Sequence, residues 1–101
     1  MEHLVALGHQ QIALLAGPLS SVSARLRLAG WHKYLTRNQI QPIAEREGDW
    51  SAMSGFQQTM QMLNEGIVPT AMLVANDQMA LGVMRAITES GLRVGADISV
   101  V

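Results

Sequence analysis

Short unbroken apolar runs alternate along this chain with longer stretches whose apolar residues fall at helical spacing. The first run, residues 11–16 (Gln-Ile-Ala-Leu-Leu-Ala), stops at Gly17 and Pro18. A run without polar alternation suits a strand buried on both faces, as in a parallel sheet. Ser20 or Ser21 can then cap a helix reaching to about Arg37, with Asn38 as its stop. Its expected apolar stripe is Val22, Leu26 and Ala29, continuing round to Trp31, Tyr34 and Leu35. Residues 42–47 make a weaker strand, and Pro42 with the charges of Glu45, Arg46 and Glu47 predicts a sheet edge.

Residues 48–50 read as a turn. The helix expected near residues 51–64 carries Ala52, Phe56, Met60 and Leu63 on one stripe. Gly66 ends it, and Pro69 blocks any continuation. Residues 70–75 predict a second buried strand, after which Asp77 is expected to cap a helix to about Ser90, stopped by Gly91. Residues 98–101 open a last strand. Ahead of all these, residues 2–8 read as the end of a helix closed by Gly8, as if the chain began inside a larger domain.

Strands separated by helices predict one α/β subdomain over residues 1–101. It should have three layers, a mostly parallel sheet flanked by helices with right-handed crossovers, in truncated form. At 101 residues there is room for one small domain, with a thin stability margin.

In open parallel sheets, ligands bind beyond the carboxyl ends of the strands. Gly17, Pro18, Arg25 and Arg27 follow the first strand, Trp50 follows the second, and Asn76 and Asp77 follow the third. An arginine fork, an aromatic face and a carboxamide suit a polyhydroxyl ligand such as a sugar. Each residue also has a plainer use: Trp50 can lid the core, Asn76 can shape the loop, and Arg27 can be a solvated helix residue. Their convergence on one edge says more than any one of them.

Other chemistries find little support. The net charge is -1 and the seven Lys and Arg residues are scattered, whereas a nucleic-acid binder gathers them on one face. Glycine-rich phosphate loops, nucleophile elbows and zinc-type histidine pairs are lacking, and His3, His9 and His32 have no metal-like spacing. No enzyme activity and no cofactor is therefore expected. Glu45 and Glu47 share one face of an edge strand, the usual sign of a solvated surface. The absence of cysteine fits a reducing cytoplasm. The start is no signal peptide, and the apolar runs are too short to cross a bilayer.

Residues 79–87 form a helix that is apolar almost all round. Ala80, Val83 and Ile87 are expected to face the sheet, leaving Leu81 and Met84 for a subunit interface. Self-association through this helix, or through sheet edges left open, is the expectation.

Several of these residues carry a family resemblance. Gly8-His9, Ile12-Ala13, Gly17-Pro18, Arg27 with Gly30-Trp31, Pro69-Thr70-Ala71, Asn76-Asp77, Ala80 with Gly82, and Asp97 through Val101 span nearly the whole chain. Together they resemble the core of bacterial repressors built on a periplasmic-binding-protein-like, flavodoxin-like lobe. The resemblance implies a cytoplasmic transcriptional repressor with a helix-turn-helix headpiece, two core lobes and a C-terminal oligomerisation helix. A galactoside inducer would bind between the lobes and weaken operator binding. Carried onto this sequence, Arg27 and Asn76 would hydrogen-bond sugar hydroxyls, Trp50 would pack on the ring, and the helix around Leu81 would lie in a dimer interface. The strand before residue 1, a Gly-Tyr-Asp-Asp-type turn after Val101, the facing lobe and the headpiece lie outside this sequence. Operator contact is expected only through that headpiece. Val83 stands where the resemblance expects alanine, a change that fills a void or overpacks the helix. A self-associating module without ligand, and a lobe of a periplasmic sugar-binding protein, are the competing readings.

Overall fold

The computed structural model describes residues 11–101. The expected helix at residues 2–8 lies outside the described residues, as do His3 and His9. Four strands and three helices alternate: β1 (Ile12–Ala16), α1 (Val22–Arg37), β2 (Ala44–Glu47), α2 (Ala52–Asn64), β3 (Ala71–Val74), α3 (Asp77–Glu89) and β4 (Ser99–Val100). The strands form one parallel sheet in the order β2-β1-β3-β4. β1 is therefore central, which explains why all five of its residues are apolar and buried. β2, with alternating half-buried and exposed residues, is an edge as its charges require.

Alternation along the central strands divides the core into two. Ile12, Leu14, Ala71 and Leu73 face α1 and pack with Leu35 and Ile40. Ala13, Leu15, Met72 and Val74 face the other way and pack with Met62 of α2 and Met79, Val83 and Ile87 of α3. A helix layer thus covers each face, and the three-layer expectation holds.

Of the two serines offered as the α1 cap, Ser21 takes the role, and Ser51 caps α2 in the same way. Ser21 Oγ accepts from the Ala24 amide at 3.4 Å, and Ser51 Oγ accepts from the Ser54 amide at 3.0 Å. Gly66 and Gly91 close α2 and α3 with φ of +84°, the left-handed stop that glycine adopts without penalty.

Three expectations need correction. On α1, Val22 and Leu26 are 61% and 68% exposed and Ala29 is exposed as well. The helix turns Ala24 and Leu28 inward instead, while Trp31, Tyr34 and Leu35 pack on the core as expected. Two apolar stripes compete on this helix, and the one with more area to bury prevails. On α2, the stripe of Ala52, Phe56, Met60 and Leu63 is only half-buried, while Ser54, Gly55, Thr59 and Met62 are buried. The inward face is rotated by about one residue, or roughly 100°. Small side chains there let α2 lie directly against α3. A methyl added at Gly55 would stand 2.2 Å from the Met79 carbonyl oxygen, and one at Gly82 would stand 1.9 Å from that of Ala52. The third correction concerns the cap of α3, which is Asn76 rather than Asp77. Val83 is fully buried within the larger core cluster.

Candidate functional site

The parallel topology sends every strand-to-helix connection to the same rim of the sheet. Gly17 leaves β1, residues 48–51 leave β2, and Ala75 and Asn76 leave β3. Backbone bonds tie the three exits together: the Gly48 amide donates to the Ala16 carbonyl at 2.8 Å, and the Ala75 amide donates to that of Leu15 at 3.1 Å.

Arg27, Trp50 and Asn76 meet on this rim through direct contacts. The Arg27 guanidinium leaves α1 and donates to the carbonyl oxygen of Ala75. The next residue, Asn76, donates through Nδ2 to the Trp50 carbonyl at 3.1 Å. Its Oδ1 accepts the Met79 amide at 2.9 Å, capping α3. The far edge of the Trp50 indole lies over Gly17, where an added Cβ would stand 2.3 Å from Cη2. One chain of contacts therefore runs from α1 through the β3 exit and the β2 exit to the β1 exit.

The hydrogen-bonding inventory leaves capacity on this rim. An arginine has five N–H donors and one is used here. Asn76 retains one N–H and one lone pair, enough to give a bond to one hydroxyl and take one from it. Trp50 is half-buried and packs against the core cluster. The plain structural uses of Trp50 and Asn76 are thus real, and each leaves part of its side chain available.

Trp50 has φ of +77°, a region a bulky side chain adopts only when its surroundings enforce it. The turn before it does so. Asp49 accepts from the Ser51 hydroxyl at 2.5 Å and from the Ser51 amide at 2.9 Å, while the Asp49 amide donates to Ser54 Oγ at 3.1 Å. The Ser51 hydroxyl above all, with the Ser51 amide and the Ser54 hydroxyl, holds the Asp49 carboxyl below its ordinary value of 3.8. The turn expected over residues 48–50 is present, and its Asp49–Ser51 bonds have a visible signal in an Asp two residues before a helix-capping Ser. Gly17, expected at this rim as the strand's stop, also lies beneath the Trp50 ring.

Arg25 belongs to the approach to this rim: it donates to the Leu19 carbonyl at 2.7 Å, and the Leu19 amide donates to Glu47 at 2.7 Å. Glu45 pairs with His32 at 2.6 Å, with both side chains exposed. Asp77 is exposed in the first turn of α3.

The remaining sequence candidates, Leu81 and Met84, lie elsewhere. Leu81 is 56% exposed and Met84 partly covered. Leu81 borders a hollow of about 310 Å³ between α2 and α3, lined also by Met53, Phe56 and Arg85, whose guanidinium carbon sits 5.2 Å from the Phe56 ring centroid. Among the described residues, the outer edges of β2 and β4 carry no further strand. No described helix is long and apolar enough to cross a membrane. No described group of three His, Cys, Asp or Glu side chains could hold a metal ion.

This arrangement, a parallel α/β layer with donors and an aromatic on its carboxyl rim, has close counterparts. The model of the periplasmic binding protein-like domain matches residues 1–101, the whole chain. The chain belongs to that family. Its similarity to the lactose operon repressor of Escherichia coli (strain K12) is 98% identity over 101 residues, all of this chain and 28% of that protein. The lactose operon repressor of Klebsiella pneumoniae is 49% identical over 89 residues, covering 88% of this chain and 25% of that one. A solved lac repressor dimer bound to operator and the anti-inducer ONPF superposes with a TM-score of 0.97 at 99% identity, covering 98% of this chain and 35% of that one. The chain thus spans about a quarter of the length of these curated relatives, which are repressors rather than enzymes. Within the periplasmic binding protein-like family, it corresponds to part of one core.

Proposed function

We propose that this chain forms one wall of the inducer site in a transcriptional repressor that responds to galactosides. Arg27 and Asn76 hydrogen-bond the sugar hydroxyls, and Trp50 covers the apolar face of the ring. A second lobe supplies the opposite wall, and operator DNA is contacted by a headpiece outside this sequence. The observation that carries the reading is the contact chain from Arg27 through Ala75 and Asn76 to Trp50, which leaves unused donors and an aromatic at one rim. The near identity to a lactose operon repressor supports galactosides as the ligand class. Cytoplasmic residence follows from the same reading.

One wall excludes little water and leaves most hydroxyls without protein partners, so the isolated chain is expected to bind galactosides negligibly. Calorimetry with isopropyl thiogalactoside tests this on the isolated chain and on a two-lobed protein that contains it. Saturable heat is expected only from the second, and tight binding to the isolated chain would overturn the division of the site.

The hollow beside Leu81 supports a companion role in self-association. Leu81 and Met53 are exposed around it, and an apolar surface of this kind marks a contact. The α3 face, with Leu81 and Met84, is the surface through which we propose that copies of the repressor pair.

A further inference from the structure

We infer that Gly17 and Asn76 are positioning residues for the Trp50 indole, and that together they set the depth of the aromatic wall of the ligand site. The wall's role toward a sugar rests on the proposed function, whereas the placement of the ring does not.

The backbone at Gly17 is not in the left-handed region that favours glycine, so its conformation suits any residue. What excludes a side chain is space. A Cβ there would meet Trp50 Cη2, Cζ3 and Cζ2 at 2.3, 2.5 and 2.7 Å. Ordinary carbon–carbon contact lies near 3.5 Å, so the ring edge would have to retreat by about 1.2 Å. All three atoms belong to the far side of the indole, which can swing about its own χ angles. The absence of a side chain at position 17 is therefore a seat for the ring.

Asn76 holds the other end of the same residue. Its Nδ2 donates to the Trp50 carbonyl at 3.1 Å, and the residue it steadies has φ of +77°. A strained backbone persists where neighbouring groups over-determine it. Here the Asp49–Ser51 turn fixes the entry and the Asn76 amide fixes the carbonyl. Asn76 thus serves the site twice, through its remaining hydrogen-bonding capacity and by keeping Trp50 aimed.

The two contacts can be broken separately. Gly17→Ala adds volume behind the ring and leaves the Asn76 bond in place. Asn76→Asp keeps an oxygen to cap Met79, where a carboxylate suits a helix N-terminus, but it removes the donor to Trp50 and sets an oxygen against the Trp50 carbonyl. Each is placed in a Trp31→Phe background, so that Trp50 alone emits. With no sugar present, both variants are expected to shift the Trp50 emission to the red and to raise its quenching by acrylamide, while far-UV circular dichroism stays unchanged. In a Trp50→Ala background the effect of Gly17→Ala on the unfolding midpoint should shrink, because the ring it collides with has gone.

In the two-lobed protein, Gly17→Ala is expected to change galactoside affinity about three- to tenfold, the worth of one well-placed aromatic contact. An unchanged Trp50 emission and quenching in both variants would overturn the inference, as would a Gly17→Ala effect of equal size with and without the indole. A displaced ring with unaltered galactoside affinity would overturn the wall's role. If the ring moves but the unsubstituted two-lobed protein binds no galactoside, the seat stands and the sugar reading falls.

Discussion

Among the described residues, the helix glycines Gly55 and Gly82 and the rim glycine Gly17 all lack room for a side chain, and they differ in what fills that room. At Gly55 and Gly82 the obstacle is backbone, the carbonyls of Met79 and Ala52 on the facing helix. At Gly17 it is the edge of an indole. Backbone in a packed helix pair cannot yield without parting the helices, whereas a ring can rotate aside. The first pair of glycines therefore belongs to the fold and the third to the rim. Steric crowding alone does not tell the two apart; the identity of the crowding atom does.

The largest effect expected from this difference is in stability. Gly82→Ala places a methyl where only helix backbone fits, and should cost about 3 kcal/mol, the upper end for overpacking. For a domain of this size that lowers Tm by on the order of 15 °C. Gly17→Ala should cost less than about 1 kcal/mol, because a rotamer change relieves the clash. Thermal melts followed by circular dichroism compare the two. Equal losses would erase the distinction between a glycine that closes the helix pair and one that seats a ring.

How much of this was legible in the sequence depends on which force settled each element. The buried runs around Leu14 and Leu73, the cap at Ser21, and the stops at Gly66 and Gly91 were readable because local chemistry decides them. The inward face of α2 and that of the first half of α1 were not. Val22 and Leu26 lost to Ala24 and Leu28, and Phe56 lost to Gly55 and Thr59, because tertiary packing chooses among competing stripes. The rim residues Arg27, Trp50 and Asn76 followed from the rule about strand carboxyl ends. Their mutual contacts could not be read from spacing, since 48 residues separate Arg27 from the carbonyl it holds. Asn76 and Asp77 are both competent caps, and only the geometry of the β3 exit selects the first.

A smaller effect sharpens the same contrast between rim and core. The Asp49 carboxyl sits below its ordinary value of 3.8 because the Ser51 hydroxyl, the Ser51 amide and the Ser54 hydroxyl favour its charged form. A folded-state value below the unfolded one means that this contribution is complete above the unfolded value. It is lost as pH falls through the lowered one. The carboxyl is exposed, so the change in global stability should be slight. It should instead show locally, as a change in Trp50 emission in acid below pH 3.8, with the helical signal of α2 and α3 retained. Asp49→Asn should flatten that change. A Trp50 signal that moves only with the helical signal would tie the rim to global unfolding.

The central claim is that Arg27, Trp50 and Asn76 act on one ligand at one rim. Proton–nitrogen correlation spectra of the two-lobed protein, titrated with isopropyl thiogalactoside, test it most directly. The Arg27 guanidinium, the Trp50 indole N–H and the Asn76 carboxamide should shift together and saturate at one sugar concentration, while the amides around Leu81 respond less. Saturable galactoside binding that leaves those three side-chain signals unmoved would contradict the account.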